Sequence, residues 1–169
     1  MRLRLALFSL LATCGVALAE PASPAATESV HEALCRLIES AAREHGVAAD
    51  FLTNLIWRES SFRAYVVSPK GAQGIAQFMP ATAAKRGLVD PFDPEQAIPQ
   101  AARLIADHLA EFGNLGLAAA AYNAGAGAVA GCNCVPPYPE TRAYVARILA
   151  LADGAGVLLS PPLEVRLVR

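Results

Sequence analysis

The chain of 169 residues is short of most features that would make its role obvious. It has no excess of positive charge: 14 Lys and Arg stand against 15 Asp and Glu, for a net charge of −1. That removes the electrostatic footprint needed for nucleic acid and the polybasic signal of a membrane surface. It has no apolar run long enough to cross a bilayer, which takes about 20 residues. It has three histidines, one tryptophan and four cysteines. The pair Cys132-Asn133-Cys134 is spaced too tightly for a zinc site and no histidine follows it, so neither a metal nor any other cofactor is expected. No internal repeat is visible. The length suits one domain.

What is present starts with a leader. Arg2 and Arg4, the apolar run from Leu5 to Val16 and the small-residue end Ala17-Leu18-Ala19 have the form of a secretory signal over 1–19. The remaining chain carries twelve basic and fifteen acidic residues, −3, and is expected in the periplasm. Leu11-Ala12-Thr13-Cys14 weakly resembles a lipoprotein cleavage box, but Thr13 stands where a smaller residue is usual, so anchoring at Cys14 is not expected. Three cysteines are left, enough for one internal bridge. An oxidising compartment then favours Cys35 joined to Cys132 or Cys134.

The rest reads as a mainly α-helical domain over 29–153, preceded by a flexible Pro/Ala/Ser-rich lead-in at 20–28 and followed by a C-terminal tail at 154–169. Ser29 with Glu32 forms a capping box, and apolar positions recur at helical spacing as far as Gly46. A second helix runs from about Ala48 to Ser60. The segment near 64–78, rich in Gly and Gln, predicts a small irregular or β element. A short helix follows from Ala81 to Arg86. Asp93 caps a further helical segment, with a break expected at Pro99 and a longer helix from there to Phe112. Leu115–Tyr122 is an Ala-rich helix, Gly125, Gly127 and Gly131 predict a loop, and Glu140–Ala152 is the last helix.

Glu59 stands out. At helical spacing it shares a face with Leu52, Leu55 and Ile56. Desolvation disfavours a carboxylate on such a face. A carboxyl there that opens on a cleft keeps its proton near neutral pH, as a general acid must. Trp57, two positions earlier, faces elsewhere and is expected in the core.

Four segments carry a resemblance, in this order: Glu59-Ser60-Ser61-Phe62, Ser68 to Pro80 with its Gly74-Ile75-Ala76-Gln77 core, Ala121-Tyr122-Asn123-Ala124-Gly125, and Pro137 to Val145. Together they resemble the soluble lytic transglycosylase family, whose catalytic domain is similar to goose-type lysozyme. The resemblance runs from about Leu37 to Leu149. It implies a lysozyme-like helical fold, peptidoglycan glycan strands as substrate, and cleavage of the β-1,4 bond between N-acetylmuramic acid and N-acetylglucosamine with a 1,6-anhydro ring on the product. It makes Glu59 the sole catalytic carboxylate, acid first and base second. It puts Tyr122 beside that carboxyl and places Ser68, Gln77, Met79, Asn123 and Tyr144 along the sugar-binding cleft. Ala76 stands where Met is common, which should widen that wall. Glu140 reads as a charge facing the dipole of the last helix. The cysteine pair resembles small specialised members that serve secretion, conjugation or pilus assemblies. The protein is expected to work as a monomer.

The rivals are a hydrolytic muramidase on the same substrate, which would need a second carboxylate to activate water, and a peptidoglycan-binding module that no longer cleaves.

Overall fold

The computed structural model describes residues 28–152. The leader, most of the lead-in, Cys14 and the tail lie outside the described residues. Among the described residues seven helices follow one another: α1 (Val30–His45), α2 (Ala49–Ser60), α3 (Pro80–Arg86), α4 (Pro94–Phe112), α5 (Leu115–Ala124), α6 (Ala126–Ala130) and α7 (Pro139–Ala152). Helix α1 packs on α2 and α4, α5 lies between α4 and α7, and α7 closes back on α2.

Local signals account for most boundaries. Ser29 and Glu32 form the reciprocal capping box at the start of α1, and Gly46 ends it in the left-handed region. Asp93 caps α4 through the Glu95 amide, and Asn114 caps α5 through that of Leu117. The core gathers Phe51, Leu52, Leu55 and Ile56 of α2, Ile98 and Ile105 of α4, and Ile148 of α7, all fully buried. Each such side chain contributes about 1.5–3 kcal/mol. Ala118 to Ala121 are buried in succession on α5. Only small side chains let one helix bury its whole girth between two others.

Three expectations need correction. Pro99 does not break α4, which runs unbroken through it. Proline there removes one bond to the Glu95 carbonyl, near the helix start. Glu95 is exposed, while Ala97, Ile98, Ala101 and Ala102 on either side of Pro99 are buried and hold the helix in register. The glycine-punctuated stretch after Gly125 forms the short helix α6, pinned by the fully buried Val129. Trp57 is 41% exposed and tilts against Phe62 with ring centroids 5.5 Å apart, instead of entering the core.

The segment at 64–78 has no strand. It is an irregular loop tied by two antiparallel bridges, Val67 with Gln73 and Gln73 with Phe78. Gly74 anchors it: φ is +75°, and a Cβ would lie 1.7 Å from the carbonyl oxygen of Pro91. The glycine is needed for backbone packed on backbone.

The cysteines also differ from expectation. Cys132 and Cys134 are bonded to each other, and Cys35 is free and exposed on α1. Asn133 adopts φ +47°, curling the turn between α6 and α7 so that its two neighbours meet. Their Cα atoms lie 5.1 Å apart, within bridging range.

Candidate active site

Glu59 occupies the last turn of α2. Immediately after it the chain turns through two non-glycine residues in the left-handed region, Ser61 at φ +53° and Phe62 at +61°. Such conformations cost about 1–2 kcal/mol each. They persist here because Phe62 packs on the core and on Trp57, and because the Ser61 amide donates to the Trp57 carbonyl at 2.8 Å. The turn ends α2 abruptly and leaves Glu59 at the floor of a cleft of about 380 Å³.

The seven residues that the resemblance assigns to catalysis or sugar binding line that one cleft: Glu59, Ser68, Gln77, Met79, Tyr122, Asn123 and Tyr144. Glu59 is partly buried, and burial pushes its carboxyl up to about 7. The Tyr144 hydroxyl donates to Glu59 Oε1 at 2.5 Å and, with Arg58, pulls the value back down, while Glu140 raises it. Burial, and then the charge of Glu59, hold the phenols of Tyr144 and Tyr122 above the usual tyrosine range, so both keep their protons.

The hydrogen bond to the carboxyl comes from Tyr144 and not from Tyr122, which lines the same cleft close enough to feel the charge of Glu59. The hydroxyl of Tyr122 donates to the Ala76 carbonyl at 2.7 Å, and the phenol that holds the carboxyl belongs to Tyr144, itself almost fully buried. Ala76 is fully buried in the core and does not line the cleft, so its small side chain widens no wall.

The other members are braced by the loop. Gln77, at φ +51°, donates from Nε2 to the carbonyls of Gly74 (2.8 Å) and Val66 (3.3 Å). Ser68 Oγ accepts from the Ala72 amide at 3.0 Å, which closes the tip of the turn. Asn123 Oδ1 accepts from Thr141 Oγ1 at 2.8 Å, tying the end of α5 to α7. Met79 is 43% exposed at the start of α3 and presents a soft apolar surface to the cleft.

One pairing in the cleft has no counterpart in the sequence motifs. Glu140, in the first turn of α7, lines the cleft and accepts from Lys70 Nζ at 3.1 Å. The pair bridges the loop and α7 at the exposed rim of the cleft, where such contacts add little stability. No local pattern joins residues 70 apart; only the fold brings them together. Among the described residues no cluster of three or more His, Cys, Asp or Glu side chains could hold a metal ion.

The fold has close likenesses among solved structures. Lytic transglycosylase Slt from Pseudomonas aeruginosa, crystallised as an inactive mutant, aligns with a TM-score of 0.65 at 27% identity, over 76% of this chain and 24% of that one. The 70 kDa soluble lytic transglycosylase SLT70 of Escherichia coli aligns with a TM-score of 0.62 at 26% identity, over 74% of this chain and 24% of its own. The domain is therefore lysozyme-like in the manner of these enzymes. The family model of the transglycosylase SLT domain matches residues 36–133, more than half of the chain, and the chain belongs to that family. Among sequence relatives, the membrane-bound lytic murein transglycosylase F 2 of Alkalilimnicola ehrlichii is 36% identical over 99 residues, 54% of this chain. The transglycosylase of Enterobacteria phage PRD1 is 32% identical over 88 residues, 52% of this chain. The matches span 22% and 33% of those two proteins, so the common part is one domain of longer chains.

Proposed function

We propose that the protein is a peptidoglycan lytic transglycosylase. It cleaves the β-1,4 bond between N-acetylmuramic acid and N-acetylglucosamine and leaves a 1,6-anhydro ring on the muramic acid. The observation that carries this reading is Glu59, a carboxyl held near pH 7 in an open cleft and oriented by Tyr144. A group that titrates there serves as acid and then as base at the pH of the periplasm. Protonated Glu59 gives its proton to the leaving oxygen. The N-acetyl group of the substrate stabilises the positive anomeric centre. Ionised Glu59 then takes the proton of the muramic acid 6-hydroxyl, whose oxygen closes the ring. The attack is intramolecular and needs no second protein carboxylate. Gln77, Asn123, Ser68 and Met79 supply the cleft wall against which the sugars lie.

The substrate places the working chain in the periplasm, delivered by a leader over 1–19. The cysteine pair Cys132 and Cys134, which resembles that of small specialised members, is what supports a partner assembly for secretion, conjugation or pilus growth.

One observation favours a second reading. Glu140 lines the same cleft and is a carboxylate that could activate water, which would make the enzyme a hydrolytic muramidase. Mass spectrometry of fragments released from purified sacculi separates the two. The expected product is one water lighter than a hydrolysed fragment, from wild type and from Glu140→Gln alike. Glu59→Gln should lower release by about 10²-fold or more while still binding sacculi. Hydrolysed products that vanish in Glu140→Gln would overturn the transglycosylase assignment, and equal release by wild type and Glu59→Gln would overturn the enzyme.

A further inference from the structure

A second and larger cavity, about 540 Å³, adjoins the catalytic cleft. It opens between α3, α4 and the α5–α6 junction, and Tyr122 lines both cavities. Chemistry at Glu59 makes no use of it. Three of its lining residues carry buried polar atoms with no hydrogen-bond partner: Nε of Arg86, Oε1 of Gln100 and Nδ1 of His108. A buried group left unpaired is costly, and folded proteins leave few of them. These three gather around one cavity. His108 Nδ1 is 3.9 Å from Glu111 Oε2, too far for a hydrogen bond.

The charges are lopsided as well. Lys85, Arg86 and Arg103 line the recess against Asp107 and Glu111. Arg86 engages Asp107 at 2.8 Å, whereas Lys85 and Arg103 make no ion pair among the described residues. Three basic against two acidic residues leave the lining at +1, with Lys85 and Arg103 free to meet an anion. Its volume falls within the range of ordinary ligand pockets.

We infer that this recess binds a carboxylate carried on the murein strand, on the lactyl group of muramic acid or on the stem peptide, as the strand leaves the cleft past Tyr122. The inference rests on the peptidoglycan reading above. Lys85 and Arg103 attract the carboxylate, and Gln100 and His108 offer hydrogen bonds to the amides beside it.

Equilibrium binding to the Glu59→Gln protein tests this without turnover. Three tetrasaccharide probes of equal length are compared: an N-acetylglucosamine tetramer, a peptide-free murein strand with lactyl carboxylates, and the same strand bearing stem peptides. A carboxylate-bearing probe should bind about tenfold tighter than the neutral tetramer. Which of the two charged probes gains identifies the source of the carboxylate. Adding Lys85→Ala and Arg103→Ala, both at exposed positions, should erase the advantage and leave the neutral probe unchanged. Equal binding of all three probes, or equal weakening of all three by the double substitution, overturns the inference. Muropeptide release by wild type is measured alongside. Release without any charge preference sinks the recess alone; absence of both release and binding sinks the substrate reading and the recess with it.

Discussion

The catalytic cleft and the neighbouring recess treat polar side chains in opposite ways. In the cleft, Glu59, Ser68, Gln77, Tyr122, Asn123 and Tyr144 each hold a hydrogen bond to another part of the protein. In the recess, Arg86, Gln100 and His108 each keep a buried atom with none. The first site is organised before substrate arrives, and its dipoles need no rearrangement when charge develops. The second leaves its buried polar atoms unpaired, as the carboxylate site proposed above would. A shared wall at Tyr122 puts the two states side by side on one fold.

The sharpest way to break the ordered side is Gly74→Ala. The new methyl would collide with the Pro91 carbonyl at a backbone angle that disfavours any side chain. Stability in urea should fall by about 3 kcal/mol or more, with loss of the loop that lines the cleft. Next comes the strain of holding Glu59 itself. Its folded value, about 7, is raised above its ordinary 4.5, so the protonated carboxyl is the form the fold favours. The stability this confers is complete below pH 4.5 and is lost as pH rises through 7. Glu59→Gln should match wild type near pH 4.5 and exceed it above pH 7 by up to about 3 kcal/mol, read as the pH dependence of the urea midpoint.

Tyr144→Phe acts on the link between phenol and acid. It removes the donor that draws the Glu59 value down, so the alkaline limb of kcat/KM should move to higher pH. The rate at the optimum should drop by about tenfold as the carboxyl loses its orientation. A purely structural role for Tyr144 would lower the rate without moving the limb. The smallest effect belongs to the recess. His108→Leu takes away a buried, neutral ring with one unmet nitrogen. Thermal unfolding should show stability unchanged or raised by less than about 1 kcal/mol. A large loss would mean that His108 is satisfied and the contrast between the two cavities is false.

Much of this was legible before the fold was known, and the reason differs from residue to residue. The ends of α1 and the start of α4 were readable because capping is chemistry within four residues. Glu59 was readable because a charge among Leu52, Leu55 and Ile56 breaks the helical pattern. The membership of the cleft followed from four motifs in order. Which phenol meets Glu59 did not, because it depends on how α7 crosses α2, and Tyr122 and Tyr144 are equal candidates until that crossing is set. The continuity of α4 through Pro99 was hidden for the same reason: burial on both sides of Pro99 outweighs one lost bond. The recess left no local trace, since Arg86, Gln100 and His108 come together only when α3 lies against α4.

The bridge between Cys132 and Cys134 closes a ring of three residues. Cross-linking so short a span takes little freedom from the denatured chain, about 1.6 kcal/mol against about 4.7 for a loop of 100 residues. Mild reductant should therefore lower the urea midpoint by about 1 M or less, where a bridge across the domain would cost about three times as much. A scaffold closed by Phe51, Ile98 and Ile148 needs no oxidant to hold its shape, and the bond rigidifies one corner rather than the whole.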